Sequence, residues 1–182
     1  MPAPPATIRK LGPADLGAYK ALRDEALRLH PETFTSDHQT QRTRTPESYL
    51  GRLGLNEPLG GSFLLGAFVD GPQAPQLIGT VGLERETKLK TRHTATLIGL
   101  MVLPAHTGHG IGRALVAACI AEARRAQGLE TLLLSVTASS ARVVQLYEQA
   151  GFTRYGLLPR ALRIADARGE RYVDKAQMLL GL

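Results

Sequence analysis

Apolar residues recur at helical spacing through the first part of the chain. Leu16, Tyr19, Leu22, Ala26 and Leu29 share one stripe of a helix predicted over 13–30, with Pro13 suited to its first turn and Pro31 ending it. A polar, mixed stretch follows, and Pro46 opens a second short helix to about residue 53. Three apolar runs of strand length come next, over 63–69, 77–84 and 95–103. They are separated by Asp70-Gly71-Pro72 and by a basic stretch through Arg92, and connections this short predict an antiparallel meander. A glycine inside each run predicts a bulge or a close backbone approach. Beyond them, Leu115, Val116, Cys119, Ile120 and Ala123 line one face of a helix over 110–127, with Gly128 as its C-terminal cap. The continuous apolar run 132–136 predicts a buried strand, parallel to its predecessor across a helical crossover. A helix over 139–150, stopped by Gly151, and strands over 152–157 and 172–180 complete the pattern; 7–10 is a short first strand.

The expected fold is one α/β (α+β) domain over 7–182, a mixed sheet, after a flexible Pro/Ala tail over 1–6. A chain of 182 residues is long enough to bury a real core. Its formal charge of +6 points to an anionic ligand. No block of five or six basic residues and no interleaving of aromatics with Arg and Lys supports nucleic acid, so a nucleotide-like cofactor is the better expectation. The single cysteine excludes an internal disulfide framework and a cysteine-rich zinc site. No apolar run reaches the roughly 18 residues of a membrane span. The opening Met1-Pro2-Ala3-Pro4-Pro5 has no signal-peptide pattern, and a cytoplasmic protein is expected.

Candidate chemistry centres on Gly108, Gly110 and Gly112, at alternate positions between the run that ends at Pro104 and the helix that follows. Glycine lets the backbone come close to a ligand, and a helix starting there aims unpaired N–H groups at the same spot. That is a seat for phosphate. A P-loop would need Lys and Ser/Thr after the last glycine, where Arg113-Ala114 stand. A dinucleotide-binding turn would need an acid after the next strand, and Glu130 falls before it. A plain turn and helix start stays open from this segment alone. A second constellation, Ser139-Ser140-Ala141-Arg142-Val143-Val144-Gln145-Leu146-Tyr147-Glu148-Gln149-Ala150-Gly151-Phe152, puts Ser140 and Tyr147 on one helical face, seven residues apart.

Together the two segments resemble the GNAT superfamily of acetyl-CoA-dependent N-acetyltransferases. Thr107-x-x-Gly110-x-Gly112 is similar to its Arg/Gln-x-x-Gly-x-Gly/Ala pyrophosphate motif, and Ser140-x-x-Val143-x-x-Leu146-Tyr147 to its Asn-x-x-Ala-x-x-Leu-Tyr motif. Thr107, Ser140 and Val143 depart from the usual residues. The resemblance implies an antiparallel meander followed by a parallel strand pair splayed around acetyl-CoA. It implies cofactor contacts from Leu100, Met101 and Val102, from Gly108, His109, Gly110, Ile111, Gly112 and Arg113, and from Ser140 and Tyr147. It also implies Tyr147 as the acid that protonates the leaving thiolate. Some relatives carry a glutamate base where this chain has Ser135; Glu84 is the best remaining candidate, acting through a water, and Glu86 the second. An amine arriving already deprotonated needs no base.

The expected activity is transfer of acetyl from acetyl-CoA to a primary amine of a small molecule or peptide. The alternative is a non-catalytic acyl-CoA sensor of the same fold. A homodimer through the C-terminal strands fits the resemblance. Glu32, Asp37 and Glu47 are expected to draw a cationic amine to the acceptor mouth. His106 and His109 flank the turn without a third metal ligand, and no metal is expected; His30, His38 and His93 read as surface groups. Cys119, on an apolar stripe, reads as an inert core residue. Arg160, Arg163, Arg168 and Arg171 read as a solvated basic loop and strand.

Overall fold

Seven strands form one mixed sheet in the order β1-β2-β3-β4-β5-β7-β6 in the computed structural model, which describes residues 6–167 and 169–182. The strands are β1 (Thr7–Lys10), β2 (Phe63–Val69), β3 (Gln76–Arg85), β4 (Thr94–Val102), β5 (Thr131–Thr137), β6 (Thr153–Asp166) and β7 (Gly169–Gly181). The helices are α1 (Leu16–Leu29), α2 (His38–Gln41), α3 (Ile111–Ala123) and α4 (Ala141–Gln149). Strands β1 to β4 are antiparallel neighbours, β2 to β4 through short connections and β1 beside β2 although α1 and α2 lie between them in the chain. The crossover through α3 makes β5 parallel to β4.

The sheet buries both faces. Under one face, α3 contributes Leu115, Val116, Cys119 and Ala123, all fully buried, to a core that also takes Val81, Leu83, Ala95, Leu132 and Met178. On the other, α1 and the turn Pro46–Leu53 set Leu16, Tyr19, Leu22, Tyr49 and Leu53 against Leu64, Phe68, Leu77 and Met101. Tyr19 and Tyr49 meet edge to face at 5.4 Å. The stripe of α1 swings to Leu27, which is buried, and leaves Leu29 more than a third exposed. The segment Pro46–Leu53 is a 3-10 helix.

Two features of β4 shape the rest. Thr80 pairs with Met101 but Gly82 pairs with Ile98, so β4 carries one extra residue, and Gly99 absorbs it at a φ of 58°. The extra residue reverses which face later side chains meet: Ala95 and Leu97 belong to the first core, whereas Met101 belongs to the second. Pairing to β5 covers only Thr94↔Thr131, Ala95↔Leu132 and Thr96↔Leu133. Beyond Thr96 the two strands part, and β5 continues on its other edge with β7 as far as Thr137↔Lys175.

The final strands run well past their predicted limits. β6 extends to Asp166 and β7 starts at Gly169, so Arg160, Arg163 and Arg171 lie on an antiparallel ribbon instead of a loop, while Arg168 falls outside the described residues. The outer part of that ribbon, over 158–166 and 169–174, has no buried residue, so no two-residue apolar alternation marks it in the sequence. Of the tail expected over 1–6, residues 1–5 lie outside the described residues, and Ala6 packs against the first core. No helix among the described residues is long and apolar enough to cross a membrane.

Arg85 ties distant loops together. It is 7% exposed, and its Nε donates to the Arg92 carbonyl at 2.6 Å, Nη1 to those of Leu59 and Gly60 at 3.2 and 3.1 Å, and Nη2 to that of Gln127 at 2.8 Å. Arg85→Met removes these donors and strands the carbonyls, which is expected to lower unfolding stability by about 3 kcal/mol or more in urea titration. Arg85→Lys, with one cationic centre instead of a planar fork, should recover only part of the loss.

Candidate active site

Where β4 and β5 separate, a cleft of about 950 Å³ opens. Its walls are the unpaired edges of the two strands: Leu97 to Val102 from β4, and Ser135, Val136 and Thr137 from β5. Backbone polar groups on such edges need water or a ligand. The glycine turn and the start of α3 close one end, and α4 lies alongside with Ser140, Arg142, Val143, Leu146 and Tyr147.

The turn is built as its sequence predicts. Gly108 and Gly110 adopt φ values of 83° and 81°, and Gly110 stands at the N-cap of α3. Among the described residues, no protein acceptor takes a hydrogen bond from the amides of 108–113; the first bond into the helix is donated by Ala114 to the Gly110 carbonyl at 3.0 Å. These N–H groups, with the helix dipole behind them, form an unclaimed anion seat. Thr107 adds nothing directed at it, because its hydroxyl turns back onto the Pro104 carbonyl at 2.8 Å. A positive charge comes instead from Arg142, whose Nη2 would lie 3.8 Å from a Cβ placed on Gly108. Arg113 also lines the cleft, fixed by a 2.6 Å hydrogen bond to Gln149 Oε1.

Ten of the eleven predicted cofactor-binding residues line this one cleft; His109 does not. Ser140 caps α4 without a side-chain hydrogen bond, leaving its hydroxyl free toward the cleft. Tyr147 is 5% exposed, packed edge to face on Phe152 at 5.7 Å, and its hydroxyl makes no hydrogen bond among the described residues. Burial, with Cys119 close behind, raises its pKa well above that of an ordinary phenol. Burial likewise pushes the Cys119 thiol up to about 12, as expected of an inert core cysteine.

The predicted carboxylates are elsewhere. Glu84 is half exposed and pairs with Arg52 Nε at 3.4 Å; Arg52 lines the cleft, whereas Glu84 does not, and neither does Glu86. Glu32, Asp37 and Glu47 also lie outside the lining, although Glu32 stands 4.0 Å from His30, which is part of it. Asp37 instead caps α2, accepting from the Thr40 amide at 2.7 Å, and that bond holds its carboxyl below the usual range. Arg23, His30, Phe34, Arg52 and Lys175 also line the cleft; the sequence reads His30 as a surface group and singles out none of the other four. Arg23 carried a signal: it stands four residues after Tyr19 on the apolar stripe of α1, where a charge is out of place. No group of three His, Cys, Asp or Glu that could hold a metal occurs among the described residues.

Comparison with known proteins places this geometry. Mycothiol acetyltransferases of Salinispora tropica and Salinispora arenicola are each 34% identical over 164 residues, or 85% of this chain and 48% of theirs. The chain thus spans about half the length of the curated relatives it matches. A protein described as an acetyltransferase of Salmonella typhimurium, solved with its cofactor acetyl-CoA, superposes with a TM-score of 0.79 at 26% identity over 98% of this chain and 94% of that one. A GNAT-family acetyltransferase from Streptococcus pneumoniae shares the fold, with a TM-score of 0.81 at 21% identity over 98% and 100% of the two chains. The family model for GNAT acetyltransferases matches residues 20–152. Because that stretch runs from α1 through the glycine turn to the end of the helix bearing Tyr147, the likeness covers the cleft itself, and the chain belongs to the GNAT family of acetyltransferases.

Proposed function

We propose that the chain is an N-acetyltransferase that takes acetyl from acetyl-CoA and gives it to a primary amine of a small molecule or peptide. The observation that carries this reading is the row of amides over 108–113, free of protein acceptors and opening on a cleft between parted strands. The residues fit the cofactor. The amides and Arg142 suit its pyrophosphate, and the free edge of β4 at Leu100, Met101 and Val102 suits an amide-bearing arm. Bound there, acetyl-CoA supplies an activated thioester. A cytoplasmic setting belongs to the same proposal, as does a homodimer through the ribbon of β6 and β7, where Tyr155, Leu157, Leu158 and Tyr172 are exposed.

The chain's own residues then have separable tasks. Main-chain N–H groups along the open edge of β4 can hold a carbonyl oxygen as negative charge develops on it. Tyr147 holds a proton inside the cleft. Its raised pKa keeps it protonated past pH 10, so the acid form is present throughout the working range. The same burial makes Tyr147 a reluctant donor. Full transfer to a thiolate with a pKa of about 8.5 is uphill, so it acts first by hydrogen-bonding the leaving sulfur. The balance closes when the proton lost by the attacking amine replaces the one Tyr147 gives up. No carboxylate touches the cleft among the described residues, so the amine enters unprotonated or releases its proton to water.

Calorimetric titration with acetyl-CoA, followed by thiol-release assays across amines, tests the proposal. Binding without turnover on any amine would favour the sensor reading. Tyr147→Phe should lower kcat by about 100-fold and leave the acetyl-CoA Kd within about threefold. Arg142→Gln should weaken acetyl-CoA about tenfold and flatten the salt dependence of binding. Glu84→Gln should change kcat by less than about threefold, since an exposed, ion-paired carboxylate outside the cleft makes a poor base; a tenfold loss would reinstate it as one.

A further inference from the structure

The acceptor end of the cleft holds two buried cations without counter-charges. Arg23 is 4% exposed, and one guanidinium nitrogen donates to Ser36 Oγ at 3.0 Å. Its Nε is buried with no hydrogen-bond partner among the described residues. Lys175 is 5% exposed, and its Nζ donates to the Thr33 carbonyl at 2.6 Å. Among the described residues, no ion pair involves either group; the neighbouring Asp24 is taken by Lys20. Arg52, also in the lining, lies 3.4 Å from the half-exposed Glu84 and donates to the Tyr19 hydroxyl at 3.1 Å. His30 adds a further basic group, 4.0 Å from Glu32.

A buried charge with neither an opposite charge nor a full set of acceptors costs several kcal/mol; four carbonyls take the donors of Arg85, whereas Arg23 and Lys175 have one acceptor each among the described residues. Here two reach the same cavity, and no aspartate or glutamate among the described residues lines it. Both are fastened to one short loop, through Thr33 and Ser36, three positions apart. Holding that loop would not require charge: a neutral donor would serve either bond. Among the described residues only Nη2 of the Arg23 guanidinium reaches a protein acceptor, and a planar fork of this kind suits two oxygens at once.

We infer that the acceptor amine carries a compact oxyanion, a carboxylate or a phosphonate, held by Arg23 and Lys175 where the loop at Thr33 and Ser36 meets the cleft. The inference rests on the proposed acetyl transfer for the role of the cleft, and it names the acceptor class. The oxyanion completes the charge balance of the pocket, while the amine of the same molecule is left to face the thioester end. A cationic polyamine would instead meet Arg23, Arg52 and Lys175 with like charge.

Binding to the CoA-loaded protein separates this inference from the reaction. Calorimetry would compare α-amino acids of graded side-chain size, each with its amide and its aminophosphonate analogue. At least one acid or phosphonate is expected to bind tenfold or more tightly than its amide. Arg23→Gln and Lys175→Gln should each erase most of that preference without changing CoA affinity. If a variant does not fold, the ratio in the natural protein decides. Amides or polyamines that bind as well as the acids, or no binding by any member, would overturn the inference. An acid preference held without thiol release would leave it standing and overturn the acetyl-transfer proposal. Which of the two oxyanions binds more tightly identifies the source.

Discussion

Three residue pairs hold β4 to β5, and the cleft exists because there is no fourth. A parallel pair normally continues until one strand ends, since every unpaired backbone group must find another partner. Here β4 takes up an extra residue at Gly99 and turns its later side chains over. Met101 leaves the core of its predecessors Ala95 and Leu97 and joins the one beneath α1. β5 keeps its other edge fully paired with β7 and is not free to follow. The edges that remain are rigid at their far sides and unsatisfied at their near sides, the condition for holding a ligand through main-chain atoms.

The two ends of the cleft answer different chemical problems. At the glycine turn the donors are many and weak: amides that carry no net charge and cost little to leave solvated. Arg142 and Arg113 add full charges there, both on helix surfaces open to water. Beside the loop at Thr33 and Ser36 the donors are few, and they are buried full charges. The first arrangement spreads its donors over several amides of one turn. The second concentrates them: each buried cation is held by a single protein oxygen among the described residues.

Local pattern made much of this legible. The glycine turn, the helix stripes and the meander are each written in residues within a turn or two of one another, and the structure reproduces them. The helix that carries Tyr147 was legible as well, and the structure sets that side chain and Ser140 in the lining of one cleft. What escaped was set by packing between distant segments. Nothing adjacent to Lys175 marks it as buried; it is covered by the loop at Thr33, 142 positions away. The carboxylates at Glu32, Asp37 and Glu47 are near the acceptor mouth in sequence order, but Asp37 is spent on capping α2. The strands over 152–157 and 172–180 were legible, but their extensions to Asp166 and from Gly169 were not, because paired strands exposed on both faces need no apolar repeat.

The lone cysteine has a use that its burial creates. Cys119 is sealed at 0% exposure under α3, with its thiolate form suppressed. Alkylating reagents, spin labels and fluorophores therefore find no native target while the protein is folded. A cysteine introduced at the tip of the ribbon would be modified alone, and any later reactivity at Cys119 would report that the helix had lifted from the sheet.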